Sequence, residues 1–158
     1  MTSLADLVRD TAQASVVPGV LTTAAVSLAG YLEDSNAAAP LNAVSHIPFG
    51  EESFDEDEAT LKYTATGTVI NVAAVASWAA VYELMFGRAA RRGNTWAGIL
   101  GGPAVAGLAY VTDYYVVPRR LTPGFERRLS GPSMFGIYAL LGATLPLASL
   151  MAQSKDER

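Results

Sequence analysis

Charged residues are distributed very unevenly along this chain. Four long stretches are apolar, Ala12–Leu32, Ala65–Phe86, Thr95–Val117 and Pro132–Met151. From Ala65 to Met85 the only charge is Glu83, from Thr95 to Val117 the only charge is Asp113, and from Gly131 to Gln153 there is none. The outward faces of a soluble bundle would carry a charge every few positions. Each stretch is about 20 residues, and at 1.5 Å per residue that is roughly the 30 Å of a bilayer's hydrocarbon core. The pattern predicts an all-α fold, an integral membrane bundle of four transmembrane helices (12–32, 65–86, 95–117 and 132–151) forming one domain over residues 1–158.

Glycine and proline inside these stretches fit a membrane setting. Pro18, Gly19, Gly101, Gly102, Pro103 and Pro146 would weaken a soluble helix, but neighbouring membrane helices can satisfy the backbone groups they free. Gly98, Gly102 and Ala106 form a stripe of small residues at four-residue spacing, which lets two helix backbones approach closely. The polar residues collect in the connections. The first, Glu33–Thr64, contains the acidic run Glu51, Glu52, Asp55, Glu56, Asp57 and Glu58; the second is short and basic, with Arg88, Arg91 and Arg92; the third holds Arg119, Arg120, Glu126, Arg127 and Arg128. With the N-terminus inside, the inner side carries Arg9, Arg88, Arg91, Arg92, Lys155 and Arg158, against Lys62 and the four third-loop arginines outside. This near balance leaves N-terminus inside as the orientation expected. Met1–Asp10 has no basic region of the kind that opens a cleaved signal, so the first apolar stretch is expected to be a retained helix.

Composition adds exclusions. Hydrophobic residues make up 51% of the chain and charged residues 16%, and mean hydropathy is +0.25 because much of the apolar content is Ala and Gly. There is no Cys, which rules out disulfide and thiolate chemistry. A net charge of −4 gives no basic face for nucleic acid. A lone histidine, His46, does not make a zinc site; the acidic run lacks the glycine of a calcium-binding loop; and there is no nucleophile elbow or phosphate-binding glycine loop. No catalytic residue, metal or cofactor is therefore assigned.

An even number of spans puts the first and third loops on one face. That gathers Asn42, His46, Asp113, Arg119, Arg120 and Glu126 into a candidate polar network. Asp113 lies about a turn inside its helix, where a carboxylate needs a partner. The expected arrangement is a clamp in which Asp113, Arg119, Arg120 and Glu126 pair, folding Pro118–Ser130 onto the bundle. Pro118 is expected to end the helix and Pro123-Gly124 to turn the chain back. Glu83, at the opposite end, is expected to face headgroups and pair with an arginine, Arg88 being one turn away. His46 is expected in a loop, hydrogen-bonded, and Trp78 in the core. Tyr63, Trp96, Tyr110, Tyr114 and Tyr115 fall near helix ends, as in an interfacial belt.

Three motifs carry a resemblance. They are Asn42-x-x-Ser45-His46 followed by Gly50-Glu51; Trp78-Ala79 followed by Glu83; and Asp113-Tyr114, Pro118-Arg119-Arg120, then Thr122-Pro123-Gly124-Phe125-Glu126. In these the chain resembles an uncharacterised family of small bacterial four-span inner-membrane proteins. The resemblance covers most of the chain from the first loop onward, and implies four spans in a bacterial inner membrane. It implies no activity. The chain departs at Ile70-Asn71, where similar proteins carry a histidine pair, which weakens any metal reading here.

Two functions remain open. One is a non-enzymatic structural or accessory subunit, packed in the lipid bilayer against other membrane protein subunits, which the missing site chemistry favours. The other is a small transporter, or a lipid-handling or catalytic membrane protein, using the His46/Asp113 side. It requires a cavity next to Asp113 that Arg119 does not seal.

Overall fold

The computed structural model describes the backbone of residues 3–156 and side chains from Ser3 to Met151. All its regular elements are helical. Helix α1 (Leu4–Asp34) starts at a capping box, where the Ser3 hydroxyl accepts from the Asp6 amide and the Asp6 carboxylate answers the Ser3 amide. It ends at Ser35, in the left-handed conformation. Two short helices follow, α2 (Ala39–Val44) and α3 (His46–Phe49). Helix α4 runs unbroken over Leu61–Arg91, regular from Thr66 to Tyr82 with π turns at Leu61–Ala65 and Glu83–Gly87. Helix α5 (Thr95–Val111) also continues into a π turn, Thr112–Val116. Helix α6 (Gly131–Thr144) is separated by a turn at Leu145 and Pro146 from α7 (Leu147–Asp156).

The helices expected from the apolar stretches are all present, but they differ in reach. The first two are longer than their apolar cores, each covering 31 residues. The fourth bends at Pro146, which cannot supply the amide that an unbroken helix needs. Three segments are long and apolar enough to cross a membrane: Leu4–Asp34, Leu61–Arg91 and Gly131–Met151. The α5 segment does not reach that level, because Gly98, Gly101, Gly102, Pro103 and Gly107 dilute its hydropathy.

The long helices form a closed ring in the order α4, α1, α6, α5, with α5 returning to α4. Their packing is close because the contact positions are small. A methyl group on Gly102 would fall 2.0 Å from the Gly142 carbonyl oxygen, and one on Gly98 would fall 2.7 Å from Leu150. The small-residue stripe of α5 is thus used up within the chain. One core cluster lies between the long helices, with Val75, Ala79, Tyr82, Val105 and Leu141; Trp78 packs against it. A second, with Val26, Leu41, Val44, Phe125, Leu129 and Ile137, lies at the end that is outer if the N-terminus is inside, and draws on the first and third loops. The first loop has two parts: the acidic run is largely exposed, whereas the segment before it is packed. Every residue of α2 is buried, and His46 begins a helix at 6% exposure where a loop position was expected.

The end of the bundle where α4 finishes is held together by charge, beside a cavity of 340 Å³ lined by Asp10, Glu83, Arg88 and Arg91 among others. Glu83 has a side chain only 1% exposed, and pairs with Arg91 at 2.6 Å. The same guanidinium reaches Asp10 of α1 at 2.9 Å, and Ser149 of α7 donates to Glu83 at 3.2 Å. Arg88, one turn from Glu83 in an ideal helix, takes no part in an ion pair among the described residues. Gly87 makes the room, since a methyl there would lie 2.0 Å from a Glu83 carboxylate oxygen.

Breaking a buried pair by removing one partner costs about 3–5 kcal/mol. Glu83→Ala, which leaves Arg91 its Asp10 contact, is expected near the lower end of that range, and Gly87→Ala is expected to destabilise by displacing the carboxylate. Arg88→Ala is the control and should change little. Thermal unfolding in detergent checks all three; equal effects of Glu83→Ala and Arg88→Ala would refute the clamp.

Candidate functional site

The outer end is organised around Asn42. Its amide nitrogen donates to the carbonyls of Glu56 and Glu58 at 2.9 and 3.0 Å, and its Oδ1 accepts from Thr64 at 2.6 Å. A fully buried amide in hydrogen bonds on both ends is a structural anchor. It ties α2 to the acidic run and to the start of α4. Ser45 donates to the Asn42 carbonyl at 2.7 Å, and the His46 Nδ1–H donates to the Ala43 carbonyl at 2.8 Å. A carbonyl only accepts, so in the neutral ring Nδ1 carries the proton and Nε2 is left as an acceptor. That Nε2 is buried and has no partner.

Helix α2 sits low because Gly67 of α4 has no side chain; a methyl there would lie 1.8 Å from the Leu41 carbonyl oxygen. The third loop then packs on α2. Val117 becomes extended before Pro118, and Gly124 turns the chain with φ +88°, its Cα close against Ala43 and His46. Phe125 and Leu129 are buried in the outer core cluster. Arg128 secures the loop through Asp57 at 2.8 Å and Asp34 at 3.7 Å.

Between the two loops lies a cavity of 560 Å³, bounded by His46, Glu51, Phe54, Arg119, Arg120 and Arg127 among others, with Tyr114 and Glu126. The His46 ring stacks on Phe54 at 4.7 Å, and the Arg127 guanidinium lies over the other ring at 5.1 Å, a cation–π arrangement. Arg120 donates only to the Ile47 carbonyl, at 3.5 Å. None of Arg119, Arg120 and Arg127 pairs with a carboxylate among the described residues, although the chain has 15 Asp and Glu against 11 Lys and Arg. Of the neighbouring acids, Glu51 makes no side-chain hydrogen bond or ion pair among the described residues, while Glu52 and Glu126 have other partners. Glu52 binds Lys62 at 2.9 Å and Tyr63 at 2.9 Å, and these hydrogen bonds, Lys62 first, hold its carboxyl below the ordinary glutamate range. Glu126 accepts from Thr122 at 3.1 Å.

Asp113 stands apart from these arginines. Its carboxylate accepts from the Tyr138 hydroxyl of α6 at 2.7 Å and makes no ion pair among the described residues. It borders a second, interior cavity of 90 Å³, with Asn71, Thr22, Trp78 and Tyr138. Asn71 in turn donates to Thr23 of α1 at 3.0 Å. The single charge-paired network expected of Asp113, Arg119, Arg120 and Glu126 is therefore not what holds the third loop down. That loop is held by Arg128, Gly124 and its buried apolar side chains, and Asp113 satisfies its need for a partner through a neutral phenol.

The six sequence candidates divide three ways. Asn42 is an anchor; His46, Arg119, Arg120 and Glu126 share the loop cavity; Asp113 borders the interior one. Phe54, Arg127 and Tyr138 were not singled out. Arg127 lies beside the Thr-Pro-Gly-Phe-Glu motif and could have been found from it, whereas nothing near Tyr138 marks it. A third cavity, an apolar groove of 560 Å³ between α5 and α6, is lined by Pro103, Gly107, Tyr110, Phe135, Tyr138 and Ala143 among others. Tyr110, Tyr114 and Tyr138 form one aromatic cluster, with ring centres 5.1 to 6.1 Å apart, and this cluster borders all three cavities. Among the described residues no group of three or more His, Asp or Glu could hold a metal ion. No protein-family model, no curated protein and no solved structure matches this chain.

Proposed function

We propose that this chain is a four-span membrane protein that binds an anionic amphiphile at the rim of its bundle, through the cavity between its first and third loops. The observation that carries this reading is the set of three guanidiniums, Arg119, Arg120 and Arg127, left without carboxylates around a cavity in an otherwise acidic chain. Arginine forks suit phosphate and carboxylate oxygens. The site lies beside the outer ends of α4, α5 and α6, at the level where headgroups meet a spanning bundle. The apolar groove between α5 and α6, sharing the tyrosine cluster, offers a place for a hydrocarbon chain. A bacterial inner membrane is the setting that accompanies the reading, on the strength of the motif resemblance.

The ring supports a fourth span. Helix α5 packs against both α4 and α6, so if its neighbours cross the bilayer it crosses with them. Three of the glycines that lower its hydropathy, Gly98, Gly101 and Gly102, allow this packing. The small-residue stripe adds no support to the accessory-subunit reading, because it faces Leu150, Gly142 and Pro146 of this chain. The lipid-handling reading also meets its own condition: Arg119 does not seal Asp113, and a cavity adjoins it.

Two outcomes are expected. Reporter fusions after Ser53 and Pro123 should report one side of the membrane, and fusions after Gly93 and Arg158 the other; Ser53 and Gly93 on the same side would refute four spans. Native mass spectrometry from mild detergent should retain an anionic phospholipid over phosphatidylcholine. Each of Arg119→Gln, Arg120→Gln and Arg127→Gln should weaken retention about tenfold, since a charged hydrogen bond contributes about 1.5–3 kcal/mol. Equal retention of both lipids, or a triple variant that binds as well as the parent, would refute the function.

A further inference from the structure

The interior cavity of 90 Å³ beside Asp113 is separate from the rim site. Its lining includes none of Arg119, Arg120 and Arg127, and Asp113 is the one charged residue in it among the described residues. The carboxylate is half-buried and accepts from Tyr138 through Oδ2 alone. No cation pairs with it among the described residues. A carboxylate inside a spanning bundle needs such a partner. Asn71 lines the same space at 7% exposure; its amide nitrogen donates to Thr23, and its Oδ1 accepts no hydrogen bond among the described residues. A buried acceptor without a donor is costly. The rest of the wall is largely apolar and aromatic, with Trp78, Phe125 and Ile137. A hard metal cation takes about six or more oxygen ligands. The lining side chains that bear oxygen are Asp113, Asn71, Tyr138 and Thr22, and Thr22 already donates to the Pro18 carbonyl at 2.7 Å. An organic cation asks for fewer acceptors, and its carbons gain from apolar contact and aromatic faces. A cavity of about 150 Å³ holds benzene, so one of 90 Å³ suits about four non-hydrogen atoms. Exposed Ala74 and Leu121 border the cavity and give it a mouth.

We infer that the interior cavity binds a small primary alkylammonium ion, about the size of propylammonium: its nitrogen donates to Asp113 Oδ1 and Asn71 Oδ1, and its carbons lie against Trp78 and Ile137. The inference goes beyond the lipid reading and does not rest on it, since the two sites share no arginine and want opposite charges. A proton alone would neutralise Asp113, but would leave Asn71 Oδ1 without a donor and the apolar space unfilled. A quaternary ammonium has no N–H for either acceptor. A primary ammonium supplies the charge, the donors and the apolar surface together.

The whole chain in mild detergent carries Trp96→Phe, at an exposed position outside the cavity, so that Trp78 is the remaining tryptophan. Its fluorescence and the heat of binding are followed together, so that a silent fluorophore does not hide binding. Propylammonium chloride, sodium chloride, tetramethylammonium chloride and neutral propanol are titrated at matched ionic strength. A ligand of about four heavy atoms binds no tighter than roughly tens of micromolar, so the titration runs into the millimolar range. A saturable response to propylammonium alone is expected. Asp113→Asn keeps the size of the side chain and an acceptor for Tyr138, and should weaken binding about tenfold. Asn71→Leu should weaken it by a smaller factor. Ala74→Leu, at an exposed lining position, fills the mouth with Asp113 intact; it should also weaken binding, and serves if Asp113→Asn does not fold. Neither heat nor fluorescence saturating with propylammonium overturns the inference. An equal response to sodium assigns the cavity to a bare cation, and an equal response to propanol makes it merely apolar; either overturns the inference. Tetramethylammonium binding as tightly as propylammonium overturns the role of the N–H donors, and with it the primary amine. A folded Asp113→Asn or Ala74→Leu variant that binds like the parent overturns the site. Each of these failures leaves the lipid function standing, because none touches Arg119, Arg120 or Arg127.

Discussion

The side-chain amide of Asn42 can donate two hydrogen bonds and accept at least one, and the fold uses all three. Two carbonyls of the acidic run and the hydroxyl of Thr64 converge on it at full burial. Those contacts hold α2 across the start of α4 and turn a charged connection into a cap on the bundle. The third loop then packs on that cap, with Gly124 against Ala43 and Phe125 beside Leu41 and Val44 in the outer core cluster. The loop cavity exists only because both loops are held this way. Glu56 and Glu58 are anchored by backbone carbonyls, so their position does not depend on finding cations. The acids that do share the cavity with Arg119, Arg120 and Arg127 are Glu51 and Glu126, and neither pairs with them among the described residues.

The carboxylates of α4 and of the turn that continues α5, Glu83 and Asp113, both lie in π turns, and the turns treat them differently. π turns widen a helix locally and recur at functional sites. At one end, the turn delivers Glu83 to Arg91, with Ser149 and Asp10 completing an ion-paired cluster. At the other, the turn places Asp113 beside a phenol. A cavity adjoins each, 340 Å³ beside Glu83 and 90 Å³ beside Asp113, so the difference between the two ends lies in the partner: an ion pair at one, a neutral hydrogen bond at the other.

Much of this was legible before the structure, and the failures have particular causes. The apolar stretches located the long helices because hydrocarbon-facing positions exclude charge wherever they occur. Pro118 and Pro123-Gly124 marked the end of α5 and the turn beyond it, because proline and a positive φ constrain the backbone locally. The partner of Glu83 was placed at Arg88 on ideal helical geometry. Two regular turns take about 7.2 residues, and the extra residue of the π turn stretches this to the eight that separate Glu83 from Arg91. Asp113 was assigned to the arginines that follow it because charge suggested charge. Its actual partner, Tyr138, is distant in sequence and is brought near only by the packing of α5 on α6. His46 was read as a loop residue because Pro48 follows closely, whereas proline is accommodated in a short helix such as α3.

On the four-span reading, helix α5 shows why hydropathy and membrane packing need not agree. In hydrocarbon no hydrophobic force draws helices together, so association relies on close contact between backbones. Close contact requires glycine and alanine, and glycine scores poorly on any transfer scale. At Gly102 the approach is so tight that even a methyl group would overlap the Gly142 carbonyl and the Pro146 ring. A larger, more apolar residue there would raise the helix's score as a membrane span while forcing it away from α6. The segment with the weakest hydropathy is thus the one whose composition is most completely set by its neighbours, and the tyrosines at its outer end are placed by that same contact. The groove, the Asp113–Tyr138 hydrogen bond and the aromatic wall of the loop cavity all depend on α5 lying that close to α6.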